Sequence, residues 1–577
     1  MTMPKRPASA ASRPSRGDRF HARMAGLGPD PKAIVTSPEP LWTGDAAAAR
    51  RLAAGLFLFG GAMVEARGES PWDQPPPTQP WEEALHAFEW LDDMVAASDE
   101  RSRAVLGGWL HEWVTRYGRG AGPGWRPDIA GKRLTRWICH APTLLSGAGP
   151  DRSRAFFSTI GRQTRFLKRR WRSAPEGLPR FQAAAGLIYA GLAVEGSGGT
   201  TIRDGIAALD KECARSVAGD GGLPSRNPEH LVEVFSILVW AQRSLEEYDL
   251  KAGREHQAAL PRLAAAIRAL RLGDGTLTRF HGGGSGNPER IDRALAASGL
   301  RPSSRIYETM GFHRLGSART GLIFDAGVRA NGHAATTAHA SAFCFEVSIG
   351  PHPMIVNCGP GARFGEEWQR ASRATAAHSG LTIDNVSSAR FNQNDLLVKG
   401  AANISCVREE DATGVRLIAS HDGWIRTHGL VHHRRISLTG DGTDLRGEDR
   451  VIAEGPGPAA AFDQAAGVEN RMGIPFTIRF HLHPDVEADI FLAGGAVRLR
   501  APSGDTWVMR QLGGDLKIED SVYLDEARVA PRATKQIVVR SMATNYRGQV
   551  KWAFRRAEAE RPTDRRQEQT IGTEQHD

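Results

Sequence analysis

Residues 342–359 read AFCFEVSIGPHPMIVNCG. An alternating apolar run and a second short apolar run are separated by Gly-Pro, and both end in turn residues. Such runs are too short to bury a helical stripe and are rich in the Val, Ile and Phe that suit a pleated surface. Cys344 inside the first run reads as a small buried hydrophobe. The same signature recurs outward along the chain in GLIFDAG (321–327), GVRLIASHDG (414–423), FTIRFHLH (476–483) and QIVVRSMAT (536–544). Six or more strands with no long helix between them predict an antiparallel β-sandwich over residues 301–556.

Before residue 300 the period is different. Residues 83–96, EALHAFEWLDDMVA, place Leu85, Phe88, Leu91 and Met94 three apart, the stripe of a buried helix face. Further helical segments are predicted over 101–116, 153–171, 179–194, 201–215, 229–247 and 257–270, with Pro, Gly and Asp clusters between them. Seven helices with short connections can bury their stripes only on one another, so a bundle and an (α/α) toroid both fit residues 46–300. Residues 1–45 are rich in Arg, Pro, Ser and Ala and are expected to form a disordered basic arm. Residues 557–577 are expected to be a polar tail. The fold class is thus α+β and multidomain, in a chain of 577 residues that exceeds the size of a single core.

The charge of +9 suits an anionic partner and equally a basic arm. No aromatic-interleaved basic groove points to nucleic acid. Five cysteines without CxxC spacing do not read as a disulfide framework or a thiolate zinc site. The most apolar stretch, LAAGLFLFGGAM (52–63), is too short to span a membrane. The helix-then-sandwich order argues against Rossmann, P-loop and TIM-barrel enzymes. The glycine-rich HGGGSG (281–286) lacks the Lys-Ser/Thr end of a phosphate loop and is read as an exposed loop at the domain cleft.

Three constellations carry candidate chemistry. In DGGLPSRNPEHLVEVF (220–235), Asn227 is placed to cap a helix starting at Pro228, with His230 and Glu233 on one face beyond it. Arg226 and Asn227 could neutralise a sugar carboxylate there, or the segment is an ordinary capped surface helix. Around the β run, His339, Asn357 and His378 could converge as a divalent-metal site, with zinc the candidate, or the two histidines hold loops by backbone hydrogen bonds. Tyr307, with Arg305, His313 and Arg314 nearby, could exchange a proton at the domain junction, or is a packed aromatic. In THGLVHHRR (427–435), His428, His432 and Arg434 share a strand face, read as solvated or as a site for an anion.

The blocks at 311–327, 338–361, 373–385 and 420–451, together with DGGLPSRNPEHLVEVFSIL (220–238), resemble the heparinase II/III family of polysaccharide lyases. The resemblance covers about residues 60–555. It implies an N-terminal (α/α) toroid, a C-terminal β-sandwich and β-elimination on an acidic, uronate-containing polysaccharide. It places Asn227 and His230 in the polar cleft as catalytic candidates, with Tyr307 the nearest substitute for the family's tyrosine rather than a motif match. Arg226, His313 and Arg314 are expected from their charge and position to bind substrate. The family's metal triad falls on His339, Asn357 and His378, with Asn357 where the family has aspartate and Thr337 where it has another histidine. A glycan-binding protein of envelope or capsule metabolism without turnover is the alternative. The family implies a periplasmic location, while the first residues are not a standard signal peptide and leave a cytoplasmic one open. The oligomeric state, a dimer included, is left open.

Overall fold

Helices come first because the apolar residues of the first half recur at helical spacing and each segment is stopped by Pro or Gly. The structure, a computed structural model, describes residues 13–557 apart from 98, 302–305, 318, 394 and 468–471. The expected polar tail and Arg305 lie outside the described residues. The stripe at 83–96 forms two helices rather than one, Gln79–His86 and Leu91–Ala96. Phe88 between them takes φ +58°, and the break lets both Phe88 and Trp90 turn inward. They stack at 4.7 Å and join Trp113 and Trp137 in an aromatic nucleus.

The helix Pro127–Cys139 was invisible to periodicity, because it is buried on nearly every side and its polar face is only the narrow strip of Lys132 and Arg136. Gly131 lets it pack directly on the helix Leu178–Ala193. A Cβ there would sit 2.3 Å from the Gln182 carbonyl oxygen. The apolar run at 52–63 contributes a hairpin, Leu56–Phe59 with Ala62–Glu65, turned by Gly60 and Gly61 at φ +53° and +83°. No helix among the described residues is long and apolar enough to cross a membrane.

The expectation of disorder over residues 1–45 is corrected from Arg16 onward. Arg16–Met24 is a helix with a Ser15/Asp18 capping box. It is anchored by Asp18 to Arg170 at 2.8 Å, and Ala22 and Ala25 are buried. Two alanines make no hydrophobic stripe, so composition alone reads this segment as unstructured.

From Glu308 onward the chain forms antiparallel sheets. One has eight strands and runs from Ile404–Asp411 through Leu430–Thr439 and Arg547–Arg556 to Glu487–Phe491. The other has nine and runs from Asp515–Tyr523 through Ile474–Leu482 and Phe345–Ile349 to Glu308–Thr309. Their inner faces share one core, in which Trp552 of the first sheet stacks on Phe345 at 5.7 Å and meets Phe480 edge-on at 5.1 Å. A helical half followed by an antiparallel β half is therefore the architecture of the chain. The face carrying His432 and Arg434 is not solvated, as was one expectation, nor open to an anion. Both residues are buried and bond Asp449, which also accepts from the Trp552 indole.

The two halves are clamped by buried ion pairs. Arg226, just before the helix Pro228–Glu246, pairs with Asp325 and donates to the carbonyls of Met310 and Gly327. Arg279 lies beside Glu346, whose carboxylate also accepts from Thr278 Oγ1 and from the backbone of Arg279 and Asn357. Arg314 reaches the last carbonyls of the helix Arg254–Leu270, at 3.0 Å from Ala269 and 2.6 Å from Arg271. Charges this dry are retained only when paired, and each pair spans the domain boundary.

Candidate functional site

The helix Pro228–Glu246 opens at the domain boundary with the cap expected from the sequence. Asn227 Oδ1 accepts from the backbone of Glu229 at 2.8 Å and of His230 at 3.2 Å. Capping fixes the amide, so Nδ2 faces away from the helix. One turn on, His230 and Glu233 follow on the same face, both in partial contact with solvent. His230 Nδ1 lies 3.3 Å from Ser225 Oγ.

The helix Pro127–Cys139 supplies the cations. Lys132 pairs with Glu89 at 2.7 Å, and Arg136 with Asp92 at 2.9 Å. Across the gap the β half presents His333, Arg363 and Glu526, whose charges act on this group. Lys132, Glu89 and His230 are thickly surrounded by protein and still touch water, the condition of a cleft floor. Dehydration, with help from Lys132 and His333, pushes the His230 imidazole down to about 4, so it is neutral near pH 7. Dehydration pushes the Glu233 carboxyl up to about 7, against the pull of Lys132. Glu526 is pushed up to about 7 by burial and by Glu229. Acids and bases driven apart in this way are the setting of proton-transfer chemistry.

The glycine-rich 281–286 segment is at the cleft but is not exposed. His281, Gly283 and Gly284 are buried, because the loop folds down on the start of the cleft helix. Gly284 N donates to Glu229 at 3.1 Å, and a Cβ on Gly283 would sit 2.5 Å from Asn227 Oδ1.

The structure separates the remaining candidates from this floor. Arg226, expected to bind substrate, has its guanidinium committed to Asp325 and to backbone carbonyls and lying 4.8 Å over Phe312. Tyr307 is partly exposed and stacks under Arg408 at 4.2 Å, with no contact to Asn227 or His230. Its expected catalytic place is corrected, because the strand pair Glu308–Thr309 and Phe312–Gly316 carries it towards the strand Ile404–Asp411. His313 is buried beside Glu308 at 3.9 Å, and Arg314 braces a helix end, so neither is free to bind a sugar.

His339 and His378 do come together, with Nδ1 and Nε2 2.9 Å apart. His378 Nδ1 lies 2.8 Å from the Ala374 carbonyl and must carry the proton, so His339 donates to His378. His281, which the sequence reading did not single out, joins them: its Nδ1 accepts from the His339 backbone at 3.1 Å. Its Nε2 lies 3.3 Å from Asp325, near but poorly aligned. Asn357 is buried and spends Nδ2 on the Arg279 carbonyl and Oδ1 on the Ser379 amide. Among the described residues no three His, Cys, Asp or Glu side chains are placed to hold a metal ion. A neutral amide engaged at both ends and two imidazoles bonded to each other do not fit the zinc expected of His339, Asn357 and His378.

Lys132, Glu89, Arg363 and Glu526 were missed because they come from segments far apart in sequence and show no local motif. Glu233 was found through its spacing from His230.

Comparison with known proteins agrees with this architecture. Residues 300–553 match the heparinase II/III-like C-terminal domain. FtsZ-localized protein C of Caulobacter vibrioides is 32% identical over 543 residues, which cover 92% of this chain and 91% of that protein. Among solved structures, heparinase III superposes with a TM-score of 0.68 over 94% of this chain and 89% of its own, at 13% identity. Chondroitinase AC lyase superposes with a TM-score of 0.52 over 93% of this chain and 82% of its own, at 10% identity. At such identities the likeness is one of fold. The domain match and the near full-length relative together make this chain a member of the heparinase II/III-like family.

Proposed function

We propose that the interdomain cleft binds an acidic, uronate-containing polysaccharide and cleaves it by β-elimination. The observation that carries this reading is the cap-fixed amide of Asn227 beside His230, with Lys132, itself paired with Glu89, close enough for its charge to act on the imidazole. Asn227 Nδ2 and Lys132 neutralise the sugar carboxylate, which makes the C5 proton acidic. His230 takes that proton. The C–H electron pair becomes the C4–C5 double bond as the C4–O bond breaks, and protonated Glu233 gives its proton to the leaving oxygen. Donors held in place against the developing charge supply much of the rate in such reactions. Activity should rise as His230 loses its proton near pH 4 and fall as Glu233 ionises near pH 7.

Glycan binding without turnover is the second reading, favoured by the position of Tyr307 outside the cleft. From the relative's name we also infer that this chain is positioned where FtsZ assembles. A fluorescent fusion that fails to follow FtsZ would contradict that location. The chemistry is tested by incubating the protein with a panel of uronate polysaccharides and following the ultraviolet absorbance of unsaturated uronate. A rise supports elimination. A flat trace with demonstrable binding supports the second reading, and no binding rejects both.

A further inference from the structure

A cavity of about 760 Å³ lies in the β half, apart from the cleft floor. It is bounded by the loop after Thr320–Asp325, by the small sheet of Arg390–Phe391 and Leu397–Lys399, and by the turn after Gly414–Trp424. Four basic side chains from separate segments ring it: Arg329, Arg390, Lys399 and Arg426. All four are exposed, and none has a side-chain hydrogen bond or ion pair among the described residues. The one acid in the wall, Asp422, offsets one of the four charges and pairs with none of them. Its carboxylate accepts from the backbone of Ala402 and Asn403 and from Asn403 Nδ2 at 2.7–3.1 Å. What sets these four apart is their convergence on one hollow. Its volume is that of a ligand site, which typically spans about 300–1,000 Å³.

The cavity adjoins the cleft through a single loop. Arg329 and Asn331 line the cavity, and His333, two residues on, lies near enough to the cleft floor for its charge to act on His230. The loop that lines the cavity is thus also the one that reaches towards the cleft floor.

We infer that the cavity is a remote subsite for the same acidic glycan, gripping its carboxylate or sulfate groups several sugar units from the cleft. This rests on the glycan reading of the cleft. The loop shared with the cleft favours a glycan over an acidic peptide, which is the other ligand the charge would suit.

The test is calorimetric binding of oligouronates of increasing length to the full chain, to an Arg390→Gln/Lys399→Gln variant and to an Asn227→Ala/His230→Ala variant. Polyglutamate serves as the peptide probe. The wild type should bind longer oligomers more tightly. The cavity variant should lose about tenfold or more for long oligomers and little for short ones. The cleft variant should lose the short ones. Both cavity positions are exposed, so the variant should fold as the wild type does. Length dependence unchanged in the cavity variant would overturn the subsite and leave the cleft reading standing. No oligouronate binding by the wild type would overturn both. Polyglutamate binding that the cavity variant loses, with glycan binding unaffected, would overturn the subsite in favour of a peptide site.

Discussion

His230 and His339 stand at the same domain boundary, and dehydration lowers the pKa of both. Their surroundings differ. His339 belongs to a dry group in which His281, Asp325, Arg226, Ser341 and His378 bond mainly to one another, with His281 Nε2 close to Asp325 but poorly aligned. His230 belongs to a wetter group: it, Glu233 and Lys132 each keep partial contact with solvent, while Asn227, itself buried, caps the helix that carries His230 and Glu233. Polar groups that satisfy one another hold domains together, whereas those that leave lone pairs and protons facing water can act on a ligand.

The largest test of this contrast is removal of Asp325, which leaves Arg226 and His281 without their shared carboxylate. Asp325→Ala should cost about 3–5 kcal/mol in denaturant unfolding. Burial alone would raise the Asp325 carboxyl, but Arg226 and His281 more than reverse this and hold it below the usual carboxylate range. Its stabilisation is therefore complete above the unfolded value of about 4 and lost as pH falls through the folded one. An acid unfolding curve identical to that of the wild type would show that the clamp contributes nothing.

Next in size is His230→Ala. If the wild type cleaves uronate polymers, this variant should lose about 10²–10⁴-fold in turnover with its unfolding midpoint unchanged. Full turnover would remove His230 from the chemistry. Glu233→Gln should act on stability in a pH-dependent way. The Glu233 carboxyl is raised to about 7, so the wild type loses stability as pH climbs from its unfolded value through 7, and glutamine does not. The variant should match the wild type at low pH and exceed it by about 1–2 kcal/mol above pH 8, since water in the cleft screens part of the shift. A constant difference across pH would place Glu233 in an ordinary solvated setting.

Much of this contrast could be read in the sequence, but not all of it. Helix stripes, strand runs and the Asn227 cap are local patterns, and they locate the two halves and one wall of the cleft. The other wall depends on Lys132, whose helix is buried on nearly every side and shows no apolar stripe. Arg226 was misassigned because its partner Asp325 lies 99 residues away, and a paired arginine looks the same in sequence as a free one. His281 was hidden in a glycine-rich loop read as exposed, and its burial comes from loop closure on Asn227, which no spacing reports.

The smallest effects concern Tyr307 and metal. Tyr307→Phe should leave turnover intact and change stability by less than about 0.5 kcal/mol, as expected of a partly exposed surface residue. A large loss of turnover would bring the tyrosine back into the site. Dialysis against a strong chelator should leave the unfolding midpoint unmoved. A drop restored by zinc would mean that His339 and His378 hold an ion after all.

The most direct measurement is nitrogen-detected NMR of the histidine rings during titration with an oligouronate. The His230 and His333 rings should shift while those of His281, His339 and His378 stay fixed. Shifts at His339 and His378 with His230 silent would place the ligand at the dry group and contradict the account.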